Sequence, residues 1–592
     1  MTNKAAADWR TEVDAAARRG DLLLAYDIAS DALADYPDDP WLRHRSVLVL
    51  ARAGATEQAA KRFAELGLSD AESDEIAALR ARIAKDRSLA ATGEERLRLA
   101  EETAALYRNI FDRTGDYYPG INAATMKLIA GDEAAARTLA RAVLPLAESA
   151  DDGFFSVATE AEAHLLIDDA GAAKAALSRA ADCLHGNYND AASTRRQLRL
   201  ICDAKGMSPD PLAALAIPTV IHYCGLMLSE AGKPQRFVAN QTTLVGQRID
   251  ACLEASNAGF GYGSLACGAD ILIAEALLRR GGELHVVLPF QADEFYTTSV
   301  NRGGPEWRDR FQDCMDKATS VIYATEDSYL NDDYLFTYSA RLAMGLALLR
   351  ARYLQTSVQQ VSVWDGGQPA GLAGTAIDVA FWLERGLPAV SITPDGAVGS
   401  PANPSLVQPG SRGAGQRVIR AMLFGDFMGF SRLSEAQLPP YVDHVLGCAA
   451  RVFDHYEASL EFRNTWGDGI FLVFKDAGAA ACCAHELQAE LAAINLASLG
   501  LPTTLGLRLA GHVGPVLEAH DPIRDSRNFF GTHVSRTARI EPVTPEGAVY
   551  VTEAFAAQLT LVPDAAFTCD YVGRMPAAKG YGNLRMYALQ PV

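Results

Sequence analysis

Two Gly-Asp pairs, each beside an apolar run, are the residues of this sequence best suited to chemistry. Asp426 follows the run Met422–Phe424 and Gly425, and Asp468 follows Gly467 between two runs that favour strands. Such a pair is a hairpin signal, so each is expected to place a carboxylate at a bend of the backbone. Two carboxylates with a nearby backbone carbonyl suit hard divalent cations such as Mg²⁺ or Mn²⁺. Two such ions can bind a triphosphate and stabilise an in-line attack on its α-phosphorus.

Neither aspartate alone indicates a metal site, because Gly-Asp is also common in hairpin turns without any function. The sequence around the two aspartates is more informative. Six pieces occur in order along the last third of the chain. They are Leu423–Phe430, Trp466–Gly469, Gly506–Pro515, Phe530–Ile540, Pro545–Val551 and Lys579-Gly580. Together they resemble the catalytic domain of class III nucleotidyl cyclases over residues 418–590. The resemblance implies an α+β, ferredoxin-like cyclase domain at residues 417–592.

The resemblance also implies roles for individual residues. Asp426 and Asp468 match the family's metal-binding aspartates, and the carbonyl of Phe427 would complete the shell of two Mg²⁺ or Mn²⁺ ions. Arg539 matches the arginine that stabilises the transition state, and Lys579 matches the phosphate-binding lysine. Both come from the second protomer of a head-to-tail dimer in this family, so a homodimer is expected. Their positive charges suit phosphoryl transfer, in which positioning and charge neutralisation dominate.

Three positions depart from the family pattern. Asn464 stands where adenylyl cyclases usually have Lys and guanylyl cyclases Glu, and Asn528 stands at the second base-reading position. An Asn amide both donates and accepts, so it can pair with adenine but also with guanine or uracil. We expect ATP as substrate and cyclic AMP as product, with GTP or a pyrimidine nucleotide as the alternative. Ser535 stands where the family usually has an Asn that orients the ribose. This leaves an alternative interpretation, in which the chain is a catalytically weak nucleotide-binding protein that signals through its central domain.

The first part of the chain, residues 1–212, shows helical periodicity and is rich in Ala, Leu and Arg. Short helices with small turns recur, as at 130–137 and 169–177, which predicts an α-solenoid of the tetratricopeptide kind. Leu106–Met126 also resembles the TRAF-binding helical domain. Its aromatic segment Tyr117–Gly120 fits core packing better than a contact for a protein partner. We interpret this region as regulatory.

The middle part, residues 216–395, alternates strand-like runs with helices, which predicts a doubly wound parallel sheet. Ligands of such sheets lie at the carboxyl ends of the strands. Ala266–Asp270 with Glu275 and Leu288–Phe290 resemble the SLOG superfamily, which implies a nucleotide-type ligand and a sensor role. The candidate ligand residues are Gly225, Gly263, Cys267, Gly268, Asp270 and Gly366. Asp270 also fits the N-terminal turn of a helix.

Composition limits the partners of the chain. The net charge of −19, from 54 basic and 73 acidic residues, argues against nucleic acid and anionic membranes as main partners. No apolar run approaches the roughly 18–20 residues of a membrane span, and the N-terminus lacks a signal peptide's apolar core, so a cytoplasmic protein is expected. Ten scattered cysteines without Cys-x-x-Cys predict free thiols rather than a zinc site. Residues 396–416, rich in Pro, Gly and Ser, predict a flexible linker.

Overall fold

The structure, a computed structural model, describes residues 4–70, 73–150, 153–230, 234–369, 371–404, 417–578 and 582–591. Lys579 and residues 405–416 of the expected linker therefore lie outside the described residues. The chain divides into two compact units. One holds the chain up to Ile217 with the short segments Tyr353–Thr356 and Asp570–Gly573, and the other holds the rest. No helix in the described ranges has the length and apolar content that crossing a membrane requires.

The first unit is helical, as its periodicity predicts, and consecutive helices pack against one another. Its described residues form α1 (Ala6–Arg18), α2 (Leu22–Asp35), α3 (Pro40–Arg52), α4 (Thr56–Glu65), α5 (Asp74–Ala90), α6 (Gly93–Thr114), α7 (Tyr117–Ile129), α8 (Glu133–Ser149), α9 (Phe154–Leu166), α10 (Ala170–Asp182) and α11 (Tyr188–Lys205). The aromatic segment lies at the start of α7, where Asp116 accepts a hydrogen bond from the backbone N–H of Tyr118 at 2.9 Å and caps the helix. Pro119 and Gly120 are buried, but Tyr117 is only half-buried and Tyr118 is 40% exposed, so the expected core packing of the aromatic rings is wrong for Tyr118.

The second unit begins with a sheet in the order β4-β3-β2-β1-β5-β6-β7. Its strands are β1 (Thr219–Gly225), β2 (Ala258–Gly263), β3 (Glu283–Leu288), β4 (Ser320–Tyr323), β5 (Val358–Val363), β6 (Ala389–Ile392) and β7 (Val398–Gly399). Its helices are α12 (Thr242–Ala255), α13 (Ala269–Arg279), α14 (Ala292–Phe295), α15 (Pro305–Lys317), α16 (Tyr334–Leu354) and α17 (Thr375–Leu383). Strands β1–β6 are parallel, as predicted. The edge strand β7 runs antiparallel to β6 and lies within the expected linker. The expected start of the linker at residue 396 is therefore wrong, because Val398 and Gly399 belong to the sheet.

The C-terminal part of this unit, which the resemblance predicts to be the catalytic domain, is a second sheet in the order β14-β15-β13-β11-β8-β10-β9, with β12 paired to β11. Its strands are β8 (Arg417–Met428), β9 (Leu460–Trp466), β10 (Gly469–Phe474), β11 (Gly506–Asp521), β12 (Ser526–Phe530), β13 (Val549–Thr552), β14 (Phe567–Pro576) and β15 (Asn583–Pro591). Its helices are α18 (Leu438–Pro440), α19 (Gly447–His455), α20 (Ala477–Ala492), α21 (Thr532–Ile540) and α22 (Glu553–Thr560). Strand β8 lies inside the sheet between β10 and β11, so its end is held on both sides.

Helix α16 of the central domain packs directly on the catalytic domain. The Tyr338 hydroxyl donates to the carbonyl of Val513 in β11 at 2.8 Å, and the Thr560 hydroxyl donates to the carbonyl of Gly345 at 3.3 Å. A Cβ on Gly345 would overlap the backbone of Ala557 in α22, so this approach requires glycine. The expected flexible joint therefore connects two domains that are already in contact. The sequence gives no local signal of this packing, because the partners lie more than a hundred residues apart.

Candidate active site

The predicted metal-binding residues come together where β8 pairs with β10, beside the β9–β10 turn. Asp468 lies in that turn as expected, whereas the expected bend at Asp426 is wrong, because β8 continues through it to Met428 and is paired on both sides. Asp426 on β8 lies opposite Gly469 on β10, and the backbone N–H of Phe427 donates to the carbonyl of Asp468 at 3.2 Å. Gly467 has a φ of +84°, which supplies the left-handed turn before Asp468. Both aspartates are half-buried. The structure thus places both carboxylates and the Phe427 peptide at one end of adjacent strands.

An arginine that the sequence analysis missed lies beside these carboxylates. Arg508 on β11 is in register with Asp426, and its Nη2 lies 2.9 Å from Asp426 Oδ2. Its Nε lies 2.5 Å from Oε1 of Glu541. Burial, with the charges of Asp426 and Asp468 adding to it, raises the pKa of Glu541 to about 6 against the opposing effect of Arg508. The carboxylates therefore favour a positive charge beside them, and the Arg508 guanidinium supplies it.

This donor set fits Mg²⁺ or Mn²⁺. Asp426, Asp468 and the Phe427 carbonyl offer oxygen atoms alone, the ligands that hard cations prefer. Among the described residues, no group of three or more His, Cys, Asp or Glu side chains could hold a metal. The protein would therefore supply only part of each coordination shell, and a triphosphate and water would supply the rest.

Ser535 and Arg539 share one face of α21. They are four residues apart and therefore neighbours on the helix surface, whereas His533 and Thr537 face the core. The Thr537 hydroxyl lies 3.9 Å from Sδ of Met422 on β8, which seats the helix on the sheet. No hydrogen bond or ion pair between described residues joins Ser535 or Arg539 to the two aspartates.

The base-reading candidates lie on two strands that do not pair with each other but are linked by an aromatic contact. Asn464 is a half-buried residue of β9, and Asn528 is a half-buried residue of β12. The rings of Phe462 and Phe529, near these residues, are 6.0 Å apart. Asn528 donates from Nδ2 to Asp521 at 2.8 Å and accepts from the N–H of Phe529, also at 2.8 Å. An amide has two N–H groups and two lone pairs, so Asn528 keeps one donor and one acceptor for a base.

Two histidines of this domain, His512 on β11 and His533 on α21, are buried in its core. Their rings stack with centroids 5.0 Å apart, and a hydrogen bond of 2.7 Å joins His512 Nε2 to His533 Nδ1. Burial lowers the pKa of each well below its usual value, and the neighbouring Arg536 adds to this. Both rings are therefore neutral at ordinary pH.

A cavity of about 620 Å³ opens at the carboxyl ends of β1 and β2 in the central domain. Of the predicted ligand residues, Gly225, Gly263 and Asp270 line it, but Cys267, Gly268 and Gly366 do not. The cavity lies where the strand order reverses beside β1, the position at which ligands bind to such sheets. Residues that the sequence analysis did not single out also line it, among them Arg236, Arg302, Tyr329, Asp333, Phe336 and Asp378.

Three polar atoms of the cavity wall have no hydrogen-bond partner among the described residues. They are the Tyr223 hydroxyl, the Ser264 hydroxyl and Oδ1 of Asp270. Asp270 is 7% exposed, and its other oxygen accepts from the N–H of Ala266 at 3.3 Å. Burial raises the pKa of Asp270 to about 7, and burial together with the charge of Asp270 raises the pKa of Asp378 to about 8. Unsatisfied buried polar groups are costly, so this wall is suited to a polar ligand.

The double substitution Asp270→Asn with Asp378→Asn should raise stability most at alkaline pH. Both folded-state pKa values lie above the usual 3.8, so the folded protein binds protons that the unfolded chain has released. The free energy of unfolding therefore falls as the pH rises from about 4 to about 8. Thermal unfolding of the double variant should be about 2–4 °C higher than that of the parent at pH 8, with a smaller difference at pH 5.

A matched control has the opposite sign. Hydrogen bonds from Arg236 hold the pKa of Asp365 below its usual value, so Asp365→Asn should lower rather than raise stability at pH 8. An Asp270/Asp378 effect of equal size at both pH values would contradict the assignment of raised pKa values.

Comparison with known proteins adds to this geometry. Residues 417–591 match the family model of the adenylate and guanylate cyclase catalytic domain, and residues 22–127 match that of the tetratricopeptide repeats-sensor family. Similar solved structures include the adenylyl cyclase CyaB from P. aeruginosa, with 17% identity, a TM-score of 0.27, and coverage of 30% of this chain and 96% of that chain. The guanylyl cyclase Cya2 has 23% identity, a TM-score of 0.27, and coverage of 30% and 95%. The guanylate cyclase domain of RhGC from Catenaria anguillulae in complex with GTP has 16% identity, a TM-score of 0.26, and coverage of 29% and 96%.

Among curated proteins, none matches the chain significantly. The two family matches agree with the helical first unit and with the sheet that carries Asp426 and Asp468. Residues 417–591 thus form a catalytic domain of the class III adenylate and guanylate cyclase family, and residues 22–127 belong to a tetratricopeptide-repeat sensor region.

Proposed function

We propose that this protein converts ATP to 3′,5′-cyclic AMP and pyrophosphate, using two Mg²⁺ or Mn²⁺ ions in each site. The observation that carries the proposal is the placement of Asp426, Asp468 and the Phe427 peptide at one edge of a cyclase-family domain. The ribose 3′-oxygen forms a bond to the α-phosphorus while the bond from that phosphorus to pyrophosphate breaks.

The protein's own residues position the substrate and neutralise its charge. Asp426, Asp468 and the Phe427 carbonyl would hold the ions, which when bound lower the pKa of the 3′-hydroxyl and neutralise phosphate charge. Arg539 of the second protomer stabilises the charge that develops on the α-phosphoryl group, and Lys579 of that protomer binds the terminal phosphates. No side-chain base is needed.

Arg508 has a defined part in this scheme. Its Nη2 pairs with Asp426, and its Nε is paired with Glu541. When cations bind, Glu541 retains the guanidinium, and Nη2 becomes available to the triphosphate. A planar guanidinium suits this exchange, because it presents several donors in fixed directions.

A homodimer would complete each site. Among the described residues, no hydrogen bond or ion pair joins Arg539 to Asp426 or Asp468, and apolar side chains are exposed beside the aspartates. These exposed side chains are Met428 and Trp466, each two residues along the chain from one of the aspartates. Exposed apolar groups clustered beside a functional site are typical of an interaction surface. A second catalytic domain fits this surface, because it would bring the second chain's Arg539 to the aspartates.

The upstream domains would regulate the reaction. The central cavity would bind a nucleotide-type ligand, for which Asp270 and the other unsatisfied polar groups provide hydrogen-bond partners. The helical unit would bind a protein partner. We place the whole protein in the cytoplasm.

The first test is to incubate the full chain with Mn²⁺ and ATP, GTP, CTP or UTP separately and to identify products by mass spectrometry. Cyclic AMP as the main product is expected, since one donor and one acceptor on Asn528 match the N6 and N1 groups of adenine. A main product of cyclic GMP or cyclic UMP would overturn the base assignment and keep the reaction. As a matched variant, Asn464→Lys with Asn528→Asp should increase the preference for ATP over GTP about 10-fold or more.

No product from any nucleotide would overturn the enzymatic proposal in favour of a nucleotide-binding protein. Ser535 motivates that second candidate, because it is exposed and too short to reach a ribose as Asn would. The expected result would then be that the full chain binds ATP, as measured by equilibrium dialysis, without converting it to product.

A further inference from the structure

The loop Ala324–Asp333 joins β4 to α16 and contacts the helix that carries Arg539. Oγ1 of Thr325 lies 3.1 Å from Nε2 of His533 in α21. The Thr532 hydroxyl at the start of the same helix donates to Asp327 Oδ1 at 2.8 Å. We call Ala324–Asp333 the connecting loop. It belongs to the central domain, yet it binds the first turn of a catalytic-domain helix at two points.

Ion pairs strengthen this contact. Arg536 of α21 lies 3.4 Å from Glu326 of the connecting loop. Arg417, the first residue of β8, lies 3.5 Å from Asp327 and 3.3 Å from Asp332. The strand that carries Asp426 and the helix that carries Arg539 therefore both contact the same loop.

A hydrogen-bond chain continues from the loop into the catalytic sheet. His533 bonds to His512 at 2.7 Å, and Nδ1 of His512 lies 2.8 Å from Oγ1 of Thr552. The four groups of this chain, from Thr325 to Thr552, are all buried. Buried hydrogen bonds without access to water are costly to break, so a shift of Thr325 must shift α21 or break the chain.

The other side of the connecting loop forms part of the cavity wall. Tyr329 and Asp333 line the cavity, and so does Phe336 in the first turn of α16. The Tyr329 hydroxyl donates to Asp333 at 2.5 Å, and the Tyr329 and Phe336 rings are 5.4 Å apart. The Tyr329 N–H donates to Glu294 at 3.1 Å. A ligand in the cavity would touch this wall four residues from Thr325.

The loop holds an unusual backbone between its two contacts. Leu330 and Asn331 have φ values of +47° and +57°, the left-handed region that side chains with a Cβ rarely adopt. Leu330 is 76% exposed, so packing of its side chain does not explain this conformation. The contacts that the connecting loop makes with α21 on one side and with the cavity wall on the other maintain this backbone conformation, and loss of one of these contacts would allow the loop to relax.

We propose that Thr325 and Asp327 are positioning residues for the cyclase reaction, and that the connecting loop transmits occupancy of the central cavity to α21. The proposal rests on the proposed function, because the position of α21 matters to catalysis only if Arg539 acts on the substrate. A ligand that moves Tyr329 and Phe336 shifts the loop, and the loop shifts the first turn of α21.

Thr325→Val tests the positioning role. Valine has the shape of threonine without its hydroxyl, so it leaves Nε2 of His533 unbonded. We expect kcat to fall about 10-fold with KM unchanged, because a displaced catalytic group affects the transition state and not substrate binding. Thr325→Ser keeps the hydroxyl and should retain the parental kcat. Equal loss in both variants, or an unchanged kcat in Thr325→Val, would overturn the role.

A second measurement tests the transmission without using activity. Ala373 lines the cavity from the loop before α17, so Ala373→Trp fills space there and Ala373→Ser serves as control. Hydrogen exchange of the peptide that covers Thr532–Ile540 should change about threefold or more in Ala373→Trp and remain parental in Ala373→Ser. In a background of Thr325→Val with Asp327→Asn, the tryptophan should no longer affect that peptide.

These outcomes separate failure of this proposal from failure of the proposed function. Unchanged exchange in Ala373→Trp, or the same change in the uncoupled background, would overturn the transmission even if the protein makes cyclic AMP. A change that depends on Thr325 and Asp327 would support the transmission even if no nucleotide is turned over.

Discussion

Asp426→Asn should lower the rate of cyclic nucleotide formation by about 1,000-fold or more, because it removes a charge that holds the metal ions near the reacting phosphate. Asparagine has the same shape, so the β8–β10 edge should keep its fold. Its neutral amide also leaves Arg508 without the carboxylate that it contacts at 2.9 Å. The measurement is the initial rate at saturating Mn²⁺ and ATP, read by mass spectrometry.

The control for this variant is an aspartate of the same domain outside the site. Asp454 is exposed and pairs with Arg463 on the surface, so Asp454→Asn should change the rate by no more than about twofold. A rate for Asp426→Asn within tenfold of the parent would exclude this carboxylate as a metal ligand. Circular dichroism of both variants distinguishes loss of the site from loss of the fold.

Arg539→Ala should be nearly inactive, and mixing it with inactive Asp426→Asn should restore activity. In a head-to-tail dimer each site takes its aspartates from one chain and its arginine from the other. A mixed dimer then contains one intact site and one doubly damaged site. With random pairing, half of the dimers are mixed, so we expect about a quarter of the parental activity.

The matched control is a mixture of two variants damaged in the same half-site. Asp426→Asn with Asp468→Asn leaves no intact site in any pairing, so it should remain inactive. If Arg539→Ala with Asp426→Asn also remains inactive after exchange of subunits, the site lies within one chain.

The sequence reveals those site residues whose function depends on nearby neighbours. Asp426 and Asp468 are recognisable because each follows a glycine beside an apolar run, although the structure places only Asp468 in a turn. Arg508 could not be assigned to them, because its contact depends on strand register between residues 82 positions apart. Register is set by the whole sheet and not by a local pattern. The signal that could have found Arg508 is its place in the Gly506–Pro515 piece, which pairs with β8 along its length.

In the central domain, too, the sequence predicts the residues that follow a local pattern and not those placed by tertiary packing. Gly225, Gly263 and Asp270 follow from the alternation of strands and helices, since loops at the carboxyl ends of parallel strands meet at one edge. Tyr329 lies on a loop whose polar sequence has no strand or helix pattern, and it reaches the cavity only through tertiary packing. The short strand β7 was assigned to the linker because two residues are too few to show alternation.

The close approach of α16 to α22 at Gly345 affects how this cyclase can be recombined with other sensors. The Pro- and Gly-rich stretch before Arg417 looks like a natural place to splice, since it separates two domains along the chain. A chimaera cut there would uncover the surface that receives α16 and leave Val513 and Thr560 without their bonding partners. A cut just before Pro218 keeps that surface covered. In a chimaera, the two domains from Pro218 onward should therefore be transferred together.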